Sequence, residues 1–185
     1  MDKVKLILYS ISEMLGVDDL SLLTLLDDSK KRQLAVVTDK TIANKISMFM
    51  MNKPEGMNLF PKVVADIFCP EGSQQLSVLI SDVKGGEYQT EIIDEQSGKH
   101  YPIRCSDGIL FSLVCKVQLY TTVDMMNARS IPFQFGGTKI GLPLTIMNDK
   151  LLEESMQMAI DSEDYEMACN LRDELKKRHT PKEQK

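Results

Sequence analysis

The run KVKLILYSISE from Lys3 to Glu13, followed after the turn-like Gly16-Val17-Asp18-Asp19 by LSLLTLL from Leu20 to Leu26, decides the reading of the fold. The first run partly alternates apolar and polar residues, the period of a half-buried strand; the second is a short apolar run of strand length. Together they predict a β-hairpin. Asp27-Asp28-Ser29-Lys30-Lys31-Arg32 reads as a charged turn rather than a phosphate-binding loop, leading to a short strand from Gln33 to Val37. A helix is expected from Thr38 or Asp39, either of which can cap free amides, to about Met51, with Ile42, Ile46 and Phe49 on one face. Lys53-Pro54-Glu55-Gly56 ends it, and a second helix is expected over about Met57 to Phe68, with Pro61 in its first turn, where no intrahelical N–H partner is lost.

Further along, strands are expected from Gln75 to Val83 and from Glu87 to Asp94, flanking Lys84-Gly85-Gly86. A third follows at His100 to Arg104 after Gln96-Ser97-Gly98, completing an antiparallel meander. Ser106 or Asp107 then caps a helix reaching about Lys116, with Ile109, Leu110, Leu113 and Val114 apolar. A strand from Val117 to Thr121 and a brief helix from Asp124 to Ala128 complete the pattern. This order predicts an α+β domain over residues 1–133, a mixed, largely antiparallel sheet packed with helices. Pro132, Gly136, Gly137, Gly141 and Pro143 make the densest run of breakers, read as a linker over 134–147 or a loop folded back on the first domain. A two-helix hairpin is expected over 148–180.

The chain has 185 residues, 43% of them hydrophobic, enough for one core and a small appendage. Its net charge of −5 weighs against tight binding to phosphate backbones, since autonomous nucleic-acid binders usually carry a basic patch. Neither part is basic: up to Thr145 there are 15 basic and 17 acidic residues, after it 7 and 10. Cys69, Cys105, Cys115 and Cys169 form no CxxC pair and have no histidine near in sequence to complete a zinc site, so reduced, mostly buried thiols are expected. No apolar run approaches the roughly 20 residues of a membrane helix, and Met1-Asp2-Lys3 lacks a secretory layout. The expectation is a cytoplasmic protein with no membrane partner.

In the C-terminal segment, Asn148 and Asp149 can cap a helix to about Ile160, and Asp161-Ser162 a second to about Arg178. Leu152, Met156 and Ala159 share one face of the first; Tyr165, Ala168, Leu171, Arg172 and Leu175 recur at helical spacing on the second. Acidic residues at the start of the second helix and Lys176, Lys177 and Arg178 at its end suit the helix dipole. A hairpin this short is expected not to shield its own apolar stripe, and so to pack on the first domain, on its own copy or on a different protein.

The stretch AIDSEDYEMACNLRDELKK, Ala159 to Lys177, resembles the UVR motif at Ala159, Asp164, Tyr165, Glu166, Ala168, Leu171, Arg172, Asp173 and Leu175, with Cys169 in place of an alanine. UVR hairpins occur in excision-repair proteins and in bacterial regulators of Clp proteases, where they pair with other proteins. The resemblance implies a protein partner bound through Tyr165, Ala168, Leu171, Arg172 and Leu175.

The segment Ile103-Arg104-Cys105-Ser106-Asp107-Gly108-Ile109 resembles the Arg-Pro-Ser-Asp-Ala-Ile signature of the bifunctional nuclease family, and Ser130-Ile131-Pro132 resembles its closing strand. Bacterial members of that family carry a C-terminal UVR hairpin. The resemblance implies phosphodiester hydrolysis at Arg104, Ser106 and Asp107, helped by a divalent ion such as Mg, in a homodimer. Two positions depart from it: the second signature of the family, Arg-Pro-Leu-Thr-His-Asp-Leu, falls on Lys53 to Leu59, so Met57 and Asn58 replace its histidine and aspartate.

Hydrolysis needs an activated water and positive charge on the developing oxyanion. Arg104 is suited to contact phosphate and Asp107 to ligate a cation or act as base. The same residues equally suit plain helix capping with an Arg104–Asp107 ion pair. Asp82, Glu91, Asp94 and Glu95 are further carboxylates, or a solvated strand edge, while Gly85-Gly86 and Gly136-Gly137 read as turns. Two functions follow. One is a partner-recruiting module linked to DNA repair or protein quality control, with degenerate or weak nuclease chemistry; the alternative is an active metal-assisted nuclease acting on DNA or RNA.

Overall fold

Every side chain from Ser21 to Leu26 is buried in the structure, a computed structural model that describes residues 2–14, 17–68, 75–133, 144, 147 and 149–179. Successive strand residues point to opposite faces, so unbroken burial means that both faces of this strand are covered. The strand is β2 (Val17–Asp27); it pairs antiparallel with β1 (Lys3–Met14) and with β3 (Arg32–Asp39). The expected turn is shorter than Gly16 to Asp19, since Met14 already pairs with Val17. Along β1 the register shifts between Leu8 and Ser10, which leaves Tyr9 at a bulge, its ring meeting that of Phe133 edge-on at 5.0 Å.

After β3 come α1 (Lys40–Met50), the single turn α2 (Pro54–Met57) and α3 (Phe60–Phe68). Asp39 caps α1, accepting from the Ile42 amide at 2.9 Å. The helix expected over Met57 to Phe68 thus starts three residues later, at Phe60, with Pro61 in its first turn as expected, and Pro54 starts a separate turn where a breaker was expected. Then follow β4 (Leu76–Lys84), β5 (Glu87–Asp94), β6 (Lys99–Pro102), α4 (Cys105–Val114), β7 (Gln118–Thr122), α5 (Val123–Arg129) and β8 (Ile131–Pro132). The sheet runs β6-β5-β4-β7-β1-β2-β3-β8, with β4 and β7 parallel and β1–β2, β1–β7, β2–β3, β3–β8 and β5–β6 antiparallel. This is the mixed, mostly antiparallel α+β arrangement. Both edges are short: β6 has four residues, all exposed and ending in Pro102, and β8 has two, including Pro132.

The helix α4 occupies the middle of this unit. Cys105, Ser106, Gly108, Ile109, Leu110, Ser112 and Val114 are all buried, while Asp107, Phe111 and Leu113 are half-buried, the pattern of a helix covered over most of its circumference. It packs against α1, α3, β3 and β7. A Cβ on Gly108 would lie 3.2 Å from side-chain carbons of both Thr90 and Val78, so α4 also rests on β5 and β4. The Tyr88 hydroxyl on β5 donates to the Ala35 carbonyl on β3, although four strands separate β5 from β3 in the sheet. The sheet therefore curls until strands near its two ends meet around α4. Burial pushes the Tyr88 hydroxyl above the usual phenol range and the Cys105 thiol up to about 12, so both stay protonated at neutral pH.

Backbone contacts divide the chain into two compact units, one of Met1–Asp82 with Tyr88–Gly136, the other of Gly137–Lys185 with the turn Val83–Glu87. The second contains α6 (Asp149–Asp161) and α7 (Tyr165–His179). Of the thiols, Cys105 is buried and Cys115 half-buried, but Cys169 is exposed on the outer side of α7, contrary to the expected burial; Cys69 lies outside the described residues. Among the described residues no helix is long and apolar enough to cross a membrane.

Gly56 tests the packing of α2 on α1. A Cβ there would sit 2.9 Å from the Met48 carbonyl carbon and the Phe49 nitrogen, both backbone atoms that cannot rotate away. Gly56→Ala should cost about 1–3 kcal/mol, the usual penalty of overpacking, despite the better helix propensity of alanine. Urea unfolding should show the midpoint falling with an unchanged slope.

Candidate functional site

The β6 strand ends at Pro102, and the Ile103 amide donates to the Thr90 carbonyl at 2.9 Å, which sets the direction in which the chain enters α4. Arg104 stands at the N-cap position with extended backbone and gives α4 no side-chain cap. Ser106 and Asp107, expected to cap this helix, instead lie inside its first turn. The Arg104 guanidinium forks onto Asp107, with Nε donating to Oδ2 at 2.9 Å and Nη2 to Oδ1 at 3.3 Å, while Nη1 donates to Asp39 Oδ2 at 3.3 Å. Asp39 thus holds the α1 amides with one oxygen and Arg104 with the other. The fork onto Asp107, and then the charges of Asp107 and Asp39, hold the Arg104 guanidinium even further above its usual range.

This geometry sorts the sequence-derived trio. Arg104 and Asp107 pair at the surface, whereas Ser106 is buried, with 4% of its area exposed, and faces away from solvent chemistry. The cluster of one guanidinium and two carboxylates carries a net charge of −1, unfavourable for an incoming phosphate. A divalent cation does not fit it either, because Arg104 already occupies oxygens of both carboxylates. Met57 closes α2 and Asn58 follows it, both exposed. Their neighbour Gly56 rests on Met48 and Phe49, near the end of α1 opposite Asp39, about 13 Å away along the helix at 1.5 Å per residue. The two segments resembling nuclease signatures therefore do not converge.

The other carboxylates have structural partners. Glu91 meets His100 Nδ1 at 2.9 Å, Asp94 accepts from the Gln96 and Ser97 amides of its own turn, and Glu95 joins Lys3 at 3.0 Å and Ser77 at 2.6 Å. The Ser97 hydroxyl and amide hold Asp94, and the Ser77 hydroxyl and Lys3 ammonium hold Glu95, below the ordinary carboxyl range. Asp82 is also engaged. Among the described residues no group of three or more histidine, cysteine or acidic side chains is placed to hold a metal ion. Gly85 and Gly86 both have positive φ, 59° and 81°, as a primed hairpin turn requires; Gly136-Gly137 lies outside the described residues.

In the second unit the hairpin residues also separate into two groups. Ala168 and Leu171 of α7 are buried, as are Leu151, Leu152 and Ala159 of α6, and the two helices pack against each other. Ala168 and Leu171, two residues of the stripe expected to need cover, are thus covered within the chain. Leu175 is half-buried. Arg172 is exposed and folds onto its neighbour Asp173, Nη2 to Oδ1 at 2.9 Å. Tyr165 stays 64% exposed at the start of α7. The cap of α7 is Asp164, which accepts from the Met167 amide at 3.0 Å, rather than Asp161 or Ser162; Ser162 instead satisfies the Met158 carbonyl at the end of α6.

Three large apolar residues that the spacing argument passed over are also exposed: Met158, Ile160 and Met167, on either side of the Ser162–Asp164 turn in sequence. Their signal was apolar residues lying off the stripe of Leu152 and Ala159. Arg178, read only as complementing the helix dipole, donates to the carbonyls of Leu144 at 2.9 Å and Met147 at 2.6 Å, and pairs with Asp149 and Glu174, each at 3.0 Å. It ties the end of α7 to the start of α6.

A scan against protein-family models and a search of curated proteins both find no match for the chain.

The double duty of Asp39 gives a stability test. Asp39→Ala removes a helix cap as well as an exposed ion pair and should cost about 1–2 kcal/mol. Asp107→Ala removes only the exposed pair and should cost less than about 1 kcal/mol. Urea denaturation of the two variants should rank them in that order.

Proposed function

We propose that this chain acts by recruiting another protein through the closed end of its C-terminal hairpin, and that its sheet unit carries degenerate nuclease chemistry. The observation that carries the reading is the apolar exposure on both sides of the turn that joins α6 and α7, where Met158, Ile160, Tyr165 and Met167 stay open. Such surfaces on small units favour protein interfaces, and methionine adapts to more than one partner shape. The UVR resemblance of Ala159 to Lys177 supports the same role and suggests partners in excision repair or Clp-type proteolysis, in the cytoplasm. The self-paired Arg104–Asp107–Asp39 cluster, with Met57 and Asn58 at the far end of α1, argues against an assembled hydrolytic centre.

One observation keeps the second reading in view. Arg104 and Asp107 remain solvent-accessible, so a substrate phosphate could compete for the guanidinium. A metal-assisted nuclease on that basis would lose cleavage of DNA or RNA in Asp107→Ala.

The decisive experiment pairs two measurements. Full-length chain carrying Tyr165→Asp and Met167→Asp should keep its thermal melting profile but lose, in quantitative affinity capture, a repair or proteolysis partner that the unmodified chain retains. Highly pure chain should not cleave DNA or RNA with Mg or Mn. An unchanged set of captured proteins, or cleavage abolished by Asp107→Ala, would overturn the proposal.

A further inference from the structure

The strand β1 lies inside the sheet, yet only part of it is paired on both sides. Toward β2 its partners run from Leu6 to Met14, whereas toward β7 they run only from Lys3 to Leu6, because β7 begins at Gln118. Among the described residues nothing bonds to the backbone of Leu8 to Met14 on that second side. The run is about 23 Å long at the usual rise per residue, and alternate residues, with a break at the Tyr9 bulge, aim their amides and carbonyls away from β2. Ser12 and Glu13 are exposed, and Ile7 and Tyr9 keep 43% and 45% of their area open, so solvent reaches this edge.

Where β7 stops, a cavity of about 270 Å³ is lined by Lys5, Leu6, Ile7 and Leu8 of β1 and by Leu113 and Lys116 from the end of α4, among others. Successive strand residues point to opposite faces, so a cavity that touches four in a row lies along the edge of β1. Its walls hold two lysines and no carboxylate, in a chain whose net charge is −5. At the far end of the run Glu13 is paired with Lys40 at 3.1 Å, which leaves the positive charge at the cavity end.

We propose that the Leu8 to Met14 edge of β1 takes an extended segment of another protein as an added strand, antiparallel to β1, with an acidic C-terminal end in the cavity beside Lys5 and Lys116. A strand in that place continues the line of β7, which is itself antiparallel to β1 and whose first residue borders the cavity. A segment running the same way reaches the cavity with its C-terminus. Main-chain hydrogen bonds supply the affinity, Ile7 and Tyr9 offer apolar contacts, and the lysines select an anionic end. Sites that enclose a drug-sized molecule span roughly 300–1,000 Å³, so this smaller cavity suits the end of a longer chain better than a free small ligand. The edge belongs to the first unit, and the inference does not rest on recruitment through the hairpin.

The probe is a synthetic octapeptide, Ser-Val-Thr-Val-Ser-Val-Glu-Glu with a free C-terminus, titrated into the full chain and followed by amide NMR shifts and hydrogen exchange. Amides within Leu8 to Met14 should shift and slow their exchange, and a peptide ending in amidated Lys-Lys should bind about tenfold more weakly. Lys5→Glu with Lys116→Glu should reverse that preference with far-UV circular dichroism unchanged, a swap that loss of folding does not produce. No shift at millimolar peptide, equal binding of the two peptides, or binding that leaves exchange of Leu8 to Met14 unaltered would each overturn the proposal. Exchange that slows with protein concentration in the absence of peptide would give the edge to a second copy and overturn it as well.

Discussion

The burial of α4 is the constraint on which the first unit depends. A helix covered over most of its circumference has to be enclosed, and the sheet does this by curling until Tyr88 on β5 reaches the Ala35 carbonyl on β3. Gly108 allows the close approach on one side, and α1 and α3 pack against the helix elsewhere. Arg104 and Asp107 are the charged residues at the start of this mostly buried helix, so the core that positions the helix also positions them. Arg104 must find partners at the point where the helix emerges, and the α1 cap Asp39 is one of them.

The same economy runs through the candidate chemistry. Each acidic residue in the meander that attracted notice as a potential ligand serves a local purpose: Glu91 with His100 across β5 and β6, Asp94 in its own turn, Glu95 between Ser77 and Lys3. What the charged residues leave unsatisfied is not polar. The large side chains left open are apolar, on both sides of the turn between α6 and α7 and on α3.

Much of the fold was legible because its signals are local. The Leu20 to Leu26 run, the Asp39 cap, the Gly85-Gly86 turn and the breakers at Pro54 and Pro61 each act over a few residues, and each is met close to where the sequence suggested. The start of α4 was misread because Ser106 and Asp107 have the chemistry of caps, whereas the helix starts two or three residues earlier, with Cys105 and Ser106 buried in its first turn. The candidate site was less legible. Spacing could pair Arg104 with Asp107, three residues on, but could not reveal Asp39, which is distant in sequence. In the hairpin, spacing identified a stripe but not which side of it meets α6, so Ala168 and Leu171 were grouped with Tyr165 and Arg172, which face outward.

The two ends of the sheet have a consequence of their own. A β-sheet can recruit foreign backbone wherever a long, flat row of free amides and carbonyls is presented. Here one terminal strand has four residues and the other two, and each includes a proline that withholds a donor. Neither terminal strand is itself long enough, or rich enough in free amides, to act as a template for strand addition.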